Sequence, residues 1–381
     1  MMDNSPSRKV WLKFKRNKLA LVGLIFILLL VVMGILGYLI MPDSSPDANI
    51  QKVQIAKQKP GAKFMFLIVE RYYHIPQVNW FQKMLNGQTP DFKSIPITAY
   101  RIANRDVFVT EYIGEEEKSK ETKYKLADLC PDCVLPNNIE RVKPLFEKHN
   151  IYSQTYLLGT DIYGRDLLSR LILSIRVSLS VGIMAVLISL FIGVGLGAVA
   201  GYFGGRVDAL ISWVMNVIWS LPSLLLVIAI SFALGKGFWQ IFIAVGLSTW
   251  VDVARLVRGQ VMALKEVEFV EAARALGFTK SRIIIKHILP NIAGPILVVG
   301  SSNFASAILL ETGLSFLGFG AQPPTPSWGS MIKEHYGYII MDAAYLAILP
   351  GLAIMLTVYA FNVLAIGLRD AFDVKGQNVT V

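Results

Sequence analysis

Long apolar runs alternate with polar stretches along this chain. A helix that crosses a bilayer needs about 20 mainly apolar residues. The first such run is ALVGLIFILLLVVMGILGYLIM, residues 20–41, and five more lie at 178–203, 209–234, 238–257, 292–317 and 342–367. The pattern predicts an all-α polytopic membrane protein with six transmembrane helices. Between the first two runs the periodicity changes. FMFLIVE (64–70), IPITAYRI (95–102) and DVFVTEYI (106–113) alternate with period two and are rich in aromatic and β-branched residues. Such stretches form strands. Residues 42–156 are therefore expected to be an inserted extracytoplasmic, β-containing domain, long enough to fold as a small unit. Within it, EEEKSKETK (115–123) is expected to be a solvated loop or tip.

Composition agrees with a membrane protein. Of 381 residues, 54% are hydrophobic and only 17% are charged, and the mean hydropathy is +0.51. That balance excludes disorder. The net charge of +10 belongs to a membrane face rather than to nucleic-acid binding. The basic residues border apolar runs and form no aromatic-interleaved patch. Arg8, Lys9, Lys13, Lys15, Arg16 and Lys18 precede the first run. A signal peptide has an apolar stretch of only about 7–15 residues and ends at a small-residue cleavage site. This run is longer and ends in Met-Pro-Asp, so it is expected to be an uncleaved anchor behind a cytoplasmic basic segment, 1–19. The loop 258–291 carries Arg258, Lys265, Arg274, Lys280, Arg282 and Lys286, whereas the short loops on the other side carry Lys236 and Lys333. The asymmetry predicts both termini in the cytoplasm.

Candidate chemistry is sparse. Cys130 and Cys133 form a lone CPDC with no second pair for zinc and no surrounding thioredoxin-like pattern. A disulfide is expected if the segment is extracytoplasmic. His74 and His149 are isolated and suit surface or packing positions. No nucleophile–base pair or metal-ligand set is present, so no enzyme, metal or cofactor is expected. Gly193, Gly197 and Gly201 recur at four-residue spacing, followed by Gly205. Small residues at that spacing let two helices approach closely in lipid. Pro222, Pro295 and Pro350 fall inside runs and predict kinks. Polar residues sit mid-run at Asn216, Ser220, Ser223, Ser302, Asn303, Ser306 and Asn362. Ser302 and Ser306 share a helix face, where they line a wet path or bond between helices. Glu311 lies near the outer end of the fifth run, where an ionisable group needs a partner. Ser220, Ser223, Ser302, Asn303, Ser306 and Glu311 are the candidate path or gate residues. Asp252 stands at the cytoplasmic end of the fourth run.

One short stretch stands apart. EVEFVEAARAL (266–276) consists of good helix formers and stops at Gly277. Thr279 is a plausible N-cap for a second helix, KSRIIIKHIL, which Pro290 would close. This helix–turn–helix lies between two spans, along the cytoplasmic surface. Ala272 and Ala273 offer no bulk to an approaching surface, and Glu271 offers a charge.

The pattern Glu271-Ala272-Ala273, Gly277, Ile288-Leu289-Pro290 resembles the EAA loop of ABC importer permeases. LLGTDIYGRDLLSRLILSIRVSLSVG (157–182), LPSLLLVI (221–228), ARLVRGQ (254–260), ETGLSFLGFG with the following P-x-W-G (311–329) and LRDAFDVK (368–375) are similar to segments of dipeptide and oligopeptide permeases. Length and order resemble the C-type subunit of the peptide/nickel permease family. The resemblance implies a type I importer fold over 157–375, with the coupling loop at 258–291 and a cytoplasmic tail, 376–381. It implies that Glu271, Ala272, Ala273, Arg274, Gly277 and Pro290 couple to cytoplasmic ABC ATPase subunits. It also implies a second homologous permease, an extracytoplasmic substrate-binding protein and peptides as the first substrate class, with nickel complexes and other small solutes behind. The chain has no GxxxxGK[ST] and so lacks that phosphate cradle. Residues 43–156 depart from the family's shorter loop. They cap the outer mouth, touch the binding protein, or are simply tolerated. The alternative function is a membrane-anchored extracytoplasmic sensor.

Overall fold

The computed structural model describes residues 6–71, 73, 75–114, 120–134, 139–235 and 237–372. His74, Lys236, all of EEEKS (115–119) and the tail 376–381 lie outside these. Helix α1 (Pro6–Arg16) meets α2 (Lys18–Ile40) at Asn17, whose side chain accepts a hydrogen bond from the Ala20 N–H at 3.1 Å. α2 leaves Val22, Ile25, Leu28, Leu29 and Val32 exposed. Lipid tails are as apolar as these side chains, so the row suits a bilayer-facing helix.

The segment between α2 and the next long helix folds around a five-stranded antiparallel sheet in the order β4-β3-β2-β1-β5. The strands are β1 (Ala62–Glu70), β2 (Phe92–Ala103), β3 (Asp106–Glu111), β4 (Lys120–Lys125) and β5 (Ile151–Tyr156). Helices α3 (Trp80–Asn86), α4 (Leu126–Leu129) and α5 (Ile139–Asn150) accompany them. Leu67, Ile97, Val107 and Val109 pack against Leu126, Leu129, Val142 and Phe146. Cys130 and Cys133 lie in that core and are joined as a disulfide; His149 is exposed on α5. The expected solvated tip is corrected in part, because residues 120–123 belong to β4, which pairs with β3. Its KETKYK sequence hides the strand. Lysines on an outer edge discourage further pairing and blur the alternation.

Lys52 ties the sheet to the loop that follows it, where its backbone N–H donates to Tyr163 O at 3.1 Å. Its ammonium lies 3.2 Å from the Tyr156 hydroxyl and 3.9 Å from the centre of the Phe66 ring. Burial pulls the Lys52 pKa down to about 8, against the raising influence of Asp43 and Asp166. The chain then passes through Gly159 and Gly164, both left-handed. A Cβ on Gly164 would lie 1.8 Å from the Lys52 carbonyl oxygen.

Helix α6 (Leu167–Phe203) starts well before the expected residue 178. Asp166 caps it by accepting from the Ser169 N–H at 2.8 Å. Its first turns bury Arg170, Ser174 and Ser178, polar residues that keep hydropathy low. The 37 residues rise roughly 55 Å, more than the hydrocarbon core needs. The expected third span is not one straight helix. α7 (Gly205–Trp219) and α8 (Ser223–Leu234) meet at 95°. Pro222 precedes α8, and the residue before a proline is driven out of the helical region. α9 (Phe238–Leu264) outruns the expected end at 257. Then follow α10 (Glu268–Ala275), α11 (Lys280–Arg282), α12 (Ala293–Leu317), α13 (Trp328–His335) and α14 (Tyr345–Phe372). Among the described residues five helices are long and apolar enough to cross a membrane, or six if α7 and α8 form one bent span.

The glycine stripe is a helix crossing. A Cβ on Gly193, Gly197 or Gly201 would lie 2.6, 2.5 or 2.6 Å from the nearest atom of Val253, Ala254 or Arg258 on α9. Gly205 is outside it, with open space around and positive φ.

Candidate coupling helix and translocation cleft

α10 has two faces. Val270 and Ala273 are buried among Val257, Val261, Ile283 and Ile288. The expectation that both alanines face outward is corrected: Ala272 is exposed and Ala273 is packed inside. Phe269 and Leu276 join Ala272 on the outer face, at i, i+3 and i+7, and are 39% and 73% exposed. Glu271 is exposed beside them. Glu268 and Glu271 in the first turn and Arg274 in the last complement the helix dipole. The helix ends in a Schellman arrangement: the Gly277 N–H donates to Arg274 O at 3.0 Å and the Phe278 N–H to Ala273 O at 3.2 Å. Gly277 has φ +77, which favours glycine. The Thr279 hydroxyl then accepts from the Arg282 N–H at 3.4 Å. Phe278 is covered by His287, with ring centres 5.6 Å apart, and by the Arg282 guanidinium at 4.1 Å. The result is a short, rigidly seated helix with one outward surface.

Pro290 does not close the second helix, contrary to expectation. Residues 283–288 form a π turn that leads through 289–292 into α12. The wider turn accommodates a proline that has no N–H to donate. α10 is thus coupled directly to a membrane helix.

A cleft of about 420 Å3 opens between the α7–α8 elbow, α9 and α12. Ser223 and Ser306 line it, together with Ser248, Thr249, Asp252 and Trp219. The other candidate path residues lie elsewhere. Ser220 donates to Val217 O at 2.7 Å. Asn303 is buried, and its amide bonds Ser189 Oγ at 3.2 Å and Thr249 O at 3.1 Å, joining three helices. Ser302 does not share the cleft with Ser306. Glu311 is fully buried, and its partner is a hydroxyl: Ser315 donates to it at 2.6 Å. The sequence reading missed Ser248, Thr249 and Trp219 as lining residues. The small polar pair inside GLSTWVD was the available signal.

Near the start of α6, ligand-type atoms of Asp161, Glu334 and His335 lie within 4.8 Å of one another. Two guanidinium groups already balance the two carboxylates. Arg165 reaches Asp161 at 2.5 Å and Glu334 at 3.0 Å, and Arg170 lies 3.7 and 3.8 Å from them. A cation would meet two positive charges there, so the group is an ion-pair lattice tying the segment before α6 to α13. Burial lowers the His335 pKa, which favours a neutral ring inside that lattice.

Comparison with known proteins decides the family. Residues 193–375 match the family described as binding-protein-dependent transport system inner membrane component. Residues 5–60 match the N-terminal transmembrane domain of oligopeptide transport permease C. The glutathione transport system permease protein GsiD of Pectobacterium atrosepticum is 42% identical over 223 residues, covering 58% of this chain and 74% of that protein. The chain belongs to the binding-protein-dependent permease family. It is a membrane-spanning permease subunit of an ABC importer. The permease is likewise 42% identical over 240 residues to the dipeptide transport system permease protein DppC of Bacillus subtilis, covering 63% of this chain and 75% of the relative. It is also 42% identical over 223 residues to the oligopeptide transport system permease protein OppC of Haemophilus influenzae, covering 58% and 71%. Both α10 and the cleft fall inside 193–375. Residues 61–192, which include the whole sheet, fall outside both matched stretches of the permease.

Proposed function

We propose that this permease carries di- and oligopeptides inward, driven by separate cytoplasmic ATPase subunits that dock on α10. The relatives' peptide and glutathione transport names support the substrate class. In this reading α7 and α8 count as one bent span, giving six. The basic residues of α1 and of the loop 258–291 hold both termini and α10 in the cytoplasm. The external sheet lies opposite, where an extracytoplasmic binding protein delivers substrate. A second, homologous permease completes the path along the cleft. The observation that carries the proposal is the two-faced α10. Its inner face is locked into α9 and the π turn, while Phe269, Ala272 and Leu276 with Glu271 are left bare.

Closure of the ATPase dimer would push α10 as a rigid lever. α10 passes the movement into α9 and α12, which wall the cleft, and the bundle switches access. The test is a mild-detergent pull-down of tagged wild type and Glu271→Lys, with co-purifying chains identified by mass spectrometry. Wild type should bring an ATPase and a second permease, and the variant should lose the ATPase. An intact wild-type protein that comes down alone, with its partners expressed, refutes the proposal.

A further inference from the structure

We propose that Asp252 and Arg255 form a two-charge site in the cleft that takes the free ammonium and carboxylate ends of a short zwitterionic substrate. The proposal rests on the peptide-importer reading above and adds to it how the cleft recognises its cargo. Asp252 is the ionisable residue among those lining the cleft. Its side chain is exposed, and among the described residues no hydrogen bond or ion pair engages the carboxylate. A bare ionisable group in a cleft between membrane helices calls for a partner.

Arg255 stands one turn further along α9, which puts the two Cβ atoms about 5–6 Å apart. The pair do not neutralise each other, because Arg255 is held elsewhere. Its guanidinium lies 4.1 Å over the Trp219 ring, and Nη2 donates to Asn216 Oδ1 at 2.9 Å. Trp219 itself lines the cleft. Stacking and one hydrogen bond leave the other guanidinium N–H groups to bind a carboxylate. The cleft therefore carries a negative point at Asp252, and the positive Arg255 guanidinium stands beside it, stacked on the Trp219 ring that lines the cleft.

The rest of the lining suits a peptide backbone. The Ser223 and Ser306 hydroxyls have no partner among the described residues and face the same space. Ser248 and Thr249 give their protons to Val245 O at 2.8 and 3.1 Å. Their lone pairs remain to accept from amide N–H groups. Beyond these groups the wall is apolar, with Leu226, Leu309 and Leu310, so side chains are tolerated while the ends are read.

The test uses the complete complex in proteoliposomes, with both permeases, the ATPases and the binding protein, and radiolabelled trialanine as the probe. Asp252→Asn and Arg255→Gln should each lower the initial rate of uptake about tenfold or more. Asp252→Glu should recover most of the rate, and each variant should retain the ATPase and the second permease on purification. Uptake by Asp252→Asn within twofold of wild type overturns the proposal. So does a loss that Asp252→Glu fails to relieve, or a loss accompanied by release of the second permease, since Asp252 would then be a subunit contact. A docked wild-type complex that takes up no trialanine instead refutes the peptide reading itself, and this site with it.

Discussion

Replacing Gly197 by alanine adds one methyl group where α6 and α9 touch. That Cβ would lie 2.5 Å from the Ala254 carbonyl oxygen and 3.0 Å from the Ala254 Cα. Both are backbone atoms and cannot swing aside. Ordinary contact begins at 3.4 Å, so the helices must part by about 1 Å, a gap that forfeits up to half the dispersion well of each facing atom pair. Gly193 and Gly201 sit against Val253 and Arg258 on the same seam, so the loss spreads along it. Overpacking of this kind costs about 1–3 kcal/mol. Gly195 is the internal control. It points away from the seam with nothing within 4 Å, and alanine there should be neutral or stabilising by up to about 1 kcal/mol, through helix propensity. Paired unfolding in mixed detergent micelles would measure both. If Gly197→Ala unfolds with wild type, or if Gly195→Ala falls equally, the seam is not set by close backbone approach.

Three further outcomes follow from the same geometry. Gly277→Val forces a β-branched residue to φ +77 and should destabilise the α10 cap by at least about 1–2 kcal/mol, whereas Gly277→Asn should cost less; accelerated proteolysis after Arg274 would report it. Lys52 has a folded pKa of about 8 against its ordinary 10.5. The unfolded chain therefore binds the extra proton between those values, and stability contributed by this site rises with pH across that window. Lys52→Met should remove that rise, seen as the difference between wild-type and variant thermal unfolding from pH 7 to 10.5. Asp161→Asn leaves Arg165 and Arg170 short of a matched buried carboxylate and should lower stability by about 3–5 kcal/mol, measured by thermal unfolding in detergent.

The sequence revealed what depends on local pattern. The apolar runs marked the lipid-facing helices, alternation marked β1, β2 and β3, and Gly277 marked the end of α10 because only its backbone freedom fits that cap. Properties set by partners were hidden. The first turns of α6 bury Arg170, Ser174 and Ser178; Arg170 lies near Asp161 and Glu334, and Ser174 donates to the Arg170 carbonyl of its own helix at 2.7 Å. β4 is a lysine-rich edge. Pro222 signalled a bend but not a 95° elbow, because the angle depends on what α7 and α8 pack against. The orientation of Ala273 follows from the cluster beneath it. Asn303 and Ser306 lie on one helix with similar polarity, yet one ties helices together and the other lines the cleft. Only the neighbouring helices distinguish them.

The central claim is that α10 presents its bare face to an ATPase. A photoreactive amino acid placed at Leu276, 73% exposed on that face, tests it most directly in the assembled complex. The account predicts an ultraviolet-dependent crosslink to the ATPase from Leu276 and none from Phe191, which is exposed in the middle of the long apolar helix α6. A complex that retains its ATPase but gives no crosslink from Leu276 would contradict it.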